Sequence, residues 1–193
     1  MSILLRIKDW KLFLLIFGVP LLFQAAFIWS IITTIPSGPT PASFIYSYIL
    51  FGILIIVLFS IIFFGWLWGI GVGLQKHLPE ELRLPTGQFR FSVLIPTLYL
   101  LTMGLIAASM MGPDRQNIVL GNAGILILLV IFHVIAVFSI FYSIYFAAKT
   151  LKTIELEHPV HFPDFAGEFF LIWFYPIGIW VIQPRLNDIV EKK

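Results

Sequence analysis

The sequence predicts an all-α polytopic membrane helix bundle: four transmembrane helices, then a C-terminal re-entrant or interfacial helix broken at Pro176-Ile-Gly178. Three observations predict it. Hydrophobic residues make up 60% of the 193-residue chain and charged residues only 11%, where a soluble domain carries about a quarter. The apolar residues gather into runs long enough for a hydrocarbon layer of roughly 30 Å. The basic residues flank those runs and collect on one side of them, as they do beside short cytoplasmic loops.

The same composition bounds function. A net charge of +2 with no basic patch excludes a nucleic-acid partner. The absence of cysteine removes disulfide and thiolate chemistry. No catalytic or nucleotide-binding motif is present, and no cofactor is called for. The chain reads as a single membrane domain over residues 1–193, without internal repeats.

Residues 1–11 form a short amphipathic lead with Arg6, Lys8 and Lys11. The first span is read at 12–35, with Pro20 inside it and Gln24 near its middle. Pro36-Ser-Gly-Pro-Thr-Pro41 is a turn that stops it. The second span, 44–74, has no charge and is longer than the bilayer as one helix, about 46 Å. A polar connection from Gln75 to Arg90 follows, with a short surface helix at Pro79-Glu-Glu-Leu. The third span is 91–111 and the tight turn Gly112-Pro-Asp-Arg-Gln-Asn117 follows it. The fourth is 118–148, closed by Lys149 and Lys152. Residues 153–163 are polar.

The segment 165–183, DFAGEFFLIWFYPIGIWVIQ with its leading Asp164, decides the topology. It would rise about 28 Å as one helix, so a fifth transmembrane helix is the alternative. Pro176 and Gly178 interrupt it after about half a bilayer. With the N-terminus inside and the segment re-entrant, eleven basic residues lie inside and only Arg115 outside; with a fifth span the balance is eight to four. The inside bias favours the re-entrant reading, with both termini cytoplasmic.

Small residues recur at four-residue spacing in two spans: Gly65, Gly69 and Gly73 in the second, Gly104, Ala108 and Gly112 in the third. Such faces let helix backbones approach closely. They read as an intramolecular seam, with a homo-oligomer seam as the alternative.

Two polar groupings are the candidate sites. His133 and Gln24 lie at the middle of their spans, where an ionisable or amide side chain is costly and marks a site by default. Glu168, among Phe169, Phe170 and Trp173, joins them as the carboxylate of the C-terminal segment, within reach of Lys149 or Lys152. The plainer reading makes His133 polar glue to Gln24 or Ser139, and makes Asp164 and Glu168 charges at a helix N-terminus. The second grouping is a weak metal cluster, His158, His161 and Asp164. Its imidazole and carboxylate types suit a divalent ion, but Pro159 and Pro163 keep the two imidazoles off one helix face.

The segment GEFFLIWFYPIGIWVIQPRLN, Gly167 to Asn187, with Leu151-Lys-Thr-Ile-Glu-Leu before it, resembles the ending of a group of small, uncharacterised bacterial polytopic inner-membrane proteins. The resemblance covers about a fifth of the chain. It implies an inner-membrane location and carries no mechanism or functional residue.

The expected function is an accessory or structural subunit whose partners are the lipid bilayer and another membrane protein or a second copy of itself. Small size, few charges and the lack of a catalytic motif favour it. A small transporter or channel with a polar site at His133 and Gln24 is the alternative, and a membrane enzyme using His133 or Glu168 the second.

Overall fold

The computed structural model describes residues 2–34, 42–111 and 123–191. The turns expected at 36–41 and 112–117, with Gly112 and Arg115, and the final Lys192 and Lys193 lie outside the described residues. Every regular element among the described residues is helical. Four helices are long and apolar enough to cross a membrane: Asp9–Thr33, Tyr48–His77, Gly87–Ser109 and Ala123–Leu156.

The chain opens with the short helix α1 (Ser2–Arg6) and enters the first span through α2 (Asp9–Phe13), a π-helical turn (Leu14–Gly18) and α3 (Val19–Thr34). The wide turn has a local cause. Pro20 cannot donate to the carbonyl of Ile16, and its ring would strike that carbonyl in a regular helix. The turn relaxes the ladder just before the proline, with Val19 N–H donating to Leu14 O. The second span is α4 (Ala42–Gly71), continued by a 3₁₀ turn at Gly73–His77. A second 3₁₀ turn, Glu80–Leu82, is the expected surface helix. The third span is α5 (Gly87–Met111) and the fourth α6 (Ala123–Leu156).

The fourth helix runs about two turns beyond the end expected at residue 148. Lys152 and Glu155 stabilise this extension as an i,i+3 ion pair at 3.6 Å. Glu157, at φ 54°, ends it, with its N–H on Thr153 O. The polar connection therefore shrinks to the few residues before Phe162.

The C-terminal segment is a hairpin of two helices, α7 (Phe162–Trp173) and α8 (Tyr175–Glu191). The break falls at Phe174 (φ −87°, ψ 54°), slightly ahead of the expected Pro176-Ile-Gly178. A helix continuing through Pro176 would drive the ring into the carbonyl of Ile172, so the chain turns first. Pro176 then sits in the opening turn of α8, where its missing N–H costs nothing. Gly178 is required by the turn: a Cβ there would lie 1.7 Å from Leu171 O. The stretch from Arg185, expected as a polar tail, continues α8 to Glu191.

Ring contacts fix how deep the hairpin reaches. Descending α7 packs Phe165 on Tyr145 (5.1 Å between centroids) and then Trp173 on Phe141 (4.9 Å). From Lys152 to Phe141, α6 covers about 16 Å. At the tip Tyr175 meets Phe59 and Phe63 of α4, both at 5.5 Å. Returning α8 passes Trp180 against Phe13 (5.4 Å) and reaches α1 at Gln183. The hairpin thus runs about 16 Å along α6 and comes back to the end it left, so it adds no further helix to the four that are long and apolar enough to cross a membrane. The end of α8 lies beside α1.

The buried core sits wholly at this end. It joins Leu5, Leu12 and Ile16 to Trp66, Leu67 and Ile70, to Ile144, Ala147 and Leu151, and to Phe165, Ile172, Ile179 and Ile182. The opposite half is thin, with Leu22, Trp29, Leu105 and Leu128 exposed.

The glycine face of α4 packs on α1 and not on α5. A Cβ at Gly65 would lie 3.3 Å from Leu4, and one at Gly69 3.2 Å from Leu5; Gly73 is also against Leu5. Gly104 faces Ile53 of α4, with a Cβ position 2.7 Å away. Ala108 is half-buried one turn further along. Both seams are intramolecular.

Candidate functional site

Polar side chains in this bundle concentrate where the hairpin meets the ends of α4 and α6. The extra turns of α6 bring Lys152 and Glu155 level with Glu168 on α7 and Arg185 on α8. Lys152 Nζ donates to Glu168 Oε1 at 3.1 Å. Arg185 donates from Nη2 to the same Oε1 at 2.7 Å, and from Nε to Glu155 Oε1 at 2.7 Å. Its Nη2 also reaches Glu155 Oε2. Two cations and two carboxylates close a neutral ring that ties three helices together.

Glu168 is the buried member, 7% exposed. Burial by itself would raise its pKa, but the hydrogen bonds from Arg185 and Lys152 outweigh burial and hold the carboxyl below its ordinary value. The expected Lys152 partner is found. Arg185 was missed, because a helix break at Pro176 made the residues after Gln183 look like a free tail.

Beside the ring lies an amide cluster centred on Gln183, fully buried. Its Oε1 accepts from Trp66 Nε1 at 2.9 Å. Its Nε2 faces the carbonyls of Leu4 (3.1 Å), Leu5 (3.3 Å) and Ile7 (2.8 Å), and Asn187 Oδ1 (3.1 Å). The carbonyls at the end of α1 have no intrahelical partners, and the two N–H groups of the Gln183 amide are shared among them inside an apolar core. A third amide, Gln75, donates to Gly71 O (2.9 Å) and Thr150 Oγ1 (3.3 Å), and its Oε1 accepts from Leu84 N–H (2.9 Å). It pins the 72–86 connection to α6. The signal for Gln183 and Gln75 was present in the sequence as lone amides at the ends of apolar runs, the positions ordinarily assigned to solvent.

The intramembrane candidates do not meet. His133 is exposed on α6, and its Nδ1 lies 2.9 Å from Tyr99 Oη on α5. Its partner is therefore Tyr99, not Gln24 or Ser139. The Ser139 carbonyl instead accepts from Ser92 (3.0 Å) and Ser143 (2.7 Å). Gln24 is exposed on α3, and its side chain makes no hydrogen bond among the described residues. It borders a cleft of 230 Å³ lined by Pro20, Gly52, Phe59 and Tyr175. Glu168 belongs to the ion ring, away from both.

The juxtamembrane histidines do not form a ligand set. Among the described residues no three His, Cys, Asp or Glu side chains are placed to hold a metal ion. His158 Nδ1 lies 2.9 Å from Pro159 O. Asp164 Oδ2 accepts from His161 N–H at 2.7 Å and caps the start of α7.

No protein-family model, curated protein or solved structure matches this chain.

Proposed function

We propose that the protein is an accessory subunit of the bacterial inner membrane, a four-span module that packs against a membrane partner with both of its termini in the cytoplasm. One observation carries this reading. Gln24 stands at the middle of the first span without a hydrogen-bond partner among the described residues, and hydrocarbon offers none. An amide in that position is satisfied when a neighbouring helix brings a donor or acceptor to it. The cleft beside it, bordered by Gly52, leaves room for a side chain from that helix.

The other polar groups support the same reading because they are committed to structure. Glu168, Lys152, Arg185 and Glu155 neutralise one another. Gln183 and Gln75 hold backbone. His133, Gln24 and Glu168 occupy three separate places, so they do not converge on one substrate path or one reaction centre. The charge balance between the two sides and the resemblance of Gly167–Asn187 favour the inner membrane, with the hairpin on the cytoplasmic side.

The test is photo-crosslinking in intact cells from a benzophenone side chain placed at Gln24 or Gly52, with Leu128 as the lipid-facing control. The reading expects a protein adduct of defined mass from Gln24 and Gly52 and lipid adducts alone from Leu128. Lipid adducts alone from all three positions would overturn it.

A further inference from the structure

On the flank formed by α5 and α6 the bundle presents a groove that the polar clusters do not use. Its upper part is a cleft of 410 Å³ bordered by Leu84, Gln88, Tyr142, Tyr145, Phe146 and Lys149. Its lower part, 310 Å³, is bordered by Phe91, Ser92 and Ile95 and shares Gln88 and Tyr142 with the upper. The two adjoin on either side of the Tyr142–Gln88 contact, in which Tyr142 Oη donates to Gln88 Oε1 at 3.4 Å. The groove is cationic and hydroxyl-lined near the aqueous end of α6 and apolar further into the membrane. From Gln88 to Ile95 it follows α5 for about 10 Å.

Two details define what fits. Lys149 Nζ has no carboxylate or other partner among the described residues, whereas Lys152, one turn on, is bound by Glu155 and Glu168. An uncompensated ammonium at headgroup depth, next to tyrosines whose rings favour that depth, calls for a phosphate. Below it, Phe91 is 72% exposed and forms one wall of an apolar trough. A free phosphate would leave that trough unfilled.

We propose that this groove is a binding site for an anionic phospholipid, with its phosphate on Lys149, its glycerol region level with Gln88 and Tyr142, and one acyl chain along Phe91 and Ile95. The charge selects anionic over zwitterionic headgroups, and the trough selects a lipid over a soluble phosphate. The site is independent of the partner surface at Gln24, which lies on another helix.

Native mass spectrometry of the full chain in detergent tests it, with phosphatidylglycerol and phosphatidylethanolamine of matched acyl chains as probes. Wild-type protein is expected to retain phosphatidylglycerol preferentially. One interfacial lysine gives about a fivefold preference, and Lys149→Ala should lose that factor while Lys149→Arg and the control Lys76→Ala keep it. Ile95→Trp, which fills the trough, should weaken both lipids. Excess glycerol phosphate should not displace the lipid. Equal phosphatidylglycerol retention by wild type and Lys149→Ala would overturn the proposal, as would loss of preference in Lys149→Arg or displacement by glycerol phosphate.

Discussion

Trp66 and Gln183 lie 117 residues apart in the chain and share a buried hydrogen bond, Nε1 to Oε1 at 2.9 Å. That bond joins the second span to the returning arm of the hairpin. Through the Gln183 Nε2 it also reaches the carbonyls that end α1. One amide therefore holds the N-terminal helix, the second span and the C-terminal helix in register.

Replacing Gln183 by leucine should be among the most damaging single changes in the protein. It strands the Trp66 N–H and the α1 carbonyls in apolar surroundings, at roughly 1–3 kcal/mol for each group left unsatisfied. Thermal unfolding in detergent measures this. The midpoint of Gln183→Leu should fall well below that of Asn187→Leu, which removes only the peripheral member of the cluster. Equal midpoints would show that the cluster does not hold the termini.

The ion ring predicts a pH dependence. The folded pKa of Glu168 is lowered from its ordinary 4.5, so the folded state favours the carboxylate. The resulting stability is fully present above about pH 4.5 and is lost as pH falls through the depressed folded value. Detergent stability should therefore decline in acid below pH 4.5, and Glu168→Gln should reduce that decline. Arg185→Ala leaves Lys152 as the one cation on Glu168 and removes charge-assisted hydrogen bonds worth roughly 1.5–3 kcal/mol each at most. Unfolding curves between pH 3 and 7 that coincide for wild type and Glu168→Gln would contradict this account.

The glycine seams rank a second set of variants. Gly69→Leu meets Leu5 and Gly104→Leu meets Ile53, and overpacking of this kind costs about 1–3 kcal/mol. A Cβ at Gly52 meets nothing within 4 Å, so Gly52→Leu should leave the isolated chain close to wild type. Detergent-extracted yield and thermal midpoint should follow that order. Equal behaviour of all three would mean that the seams are not close contacts.

His133 should prove structurally minor. Its one hydrogen bond is to Tyr99, at an exposed position, and interhelical bonds in membranes average about 0.6 kcal/mol. His133→Leu and Tyr99→Phe should each lower stability by that order, and the double variant by no more than either alone. A severe loss from His133→Leu with none from Tyr99→Phe would assign the imidazole another role.

The four spans were legible because run length and charge asymmetry are properties of the chain itself, and the hairpin because Pro176 and Gly178 interrupt the apolar run while the charge balance disfavours a fifth span. Helix ends and partners were less legible. The extension of α6 through Lys152 and Glu155 is stabilised by residues on α7 and α8, which no local pattern announces. Gln183 escapes notice because an amide after an apolar run looks like a solvated flank until α8 is known to return to α1. His133 and Gln24 attract notice by depth alone, and depth does not say which helix faces which.

The central claim is that the C-terminal segment enters halfway and returns, so that both termini lie on one side. Paired fusions at Met1 and after Lys193 test it, each carrying either a fluorescent protein that matures only in the cytoplasm or alkaline phosphatase, which is active only outside it. The account predicts fluorescence and no phosphatase activity at both ends. Phosphatase activity without fluorescence at the C-terminal fusion alone would mean a fifth span, and the Gln183 and Glu168 clusters as described would not exist in the membrane.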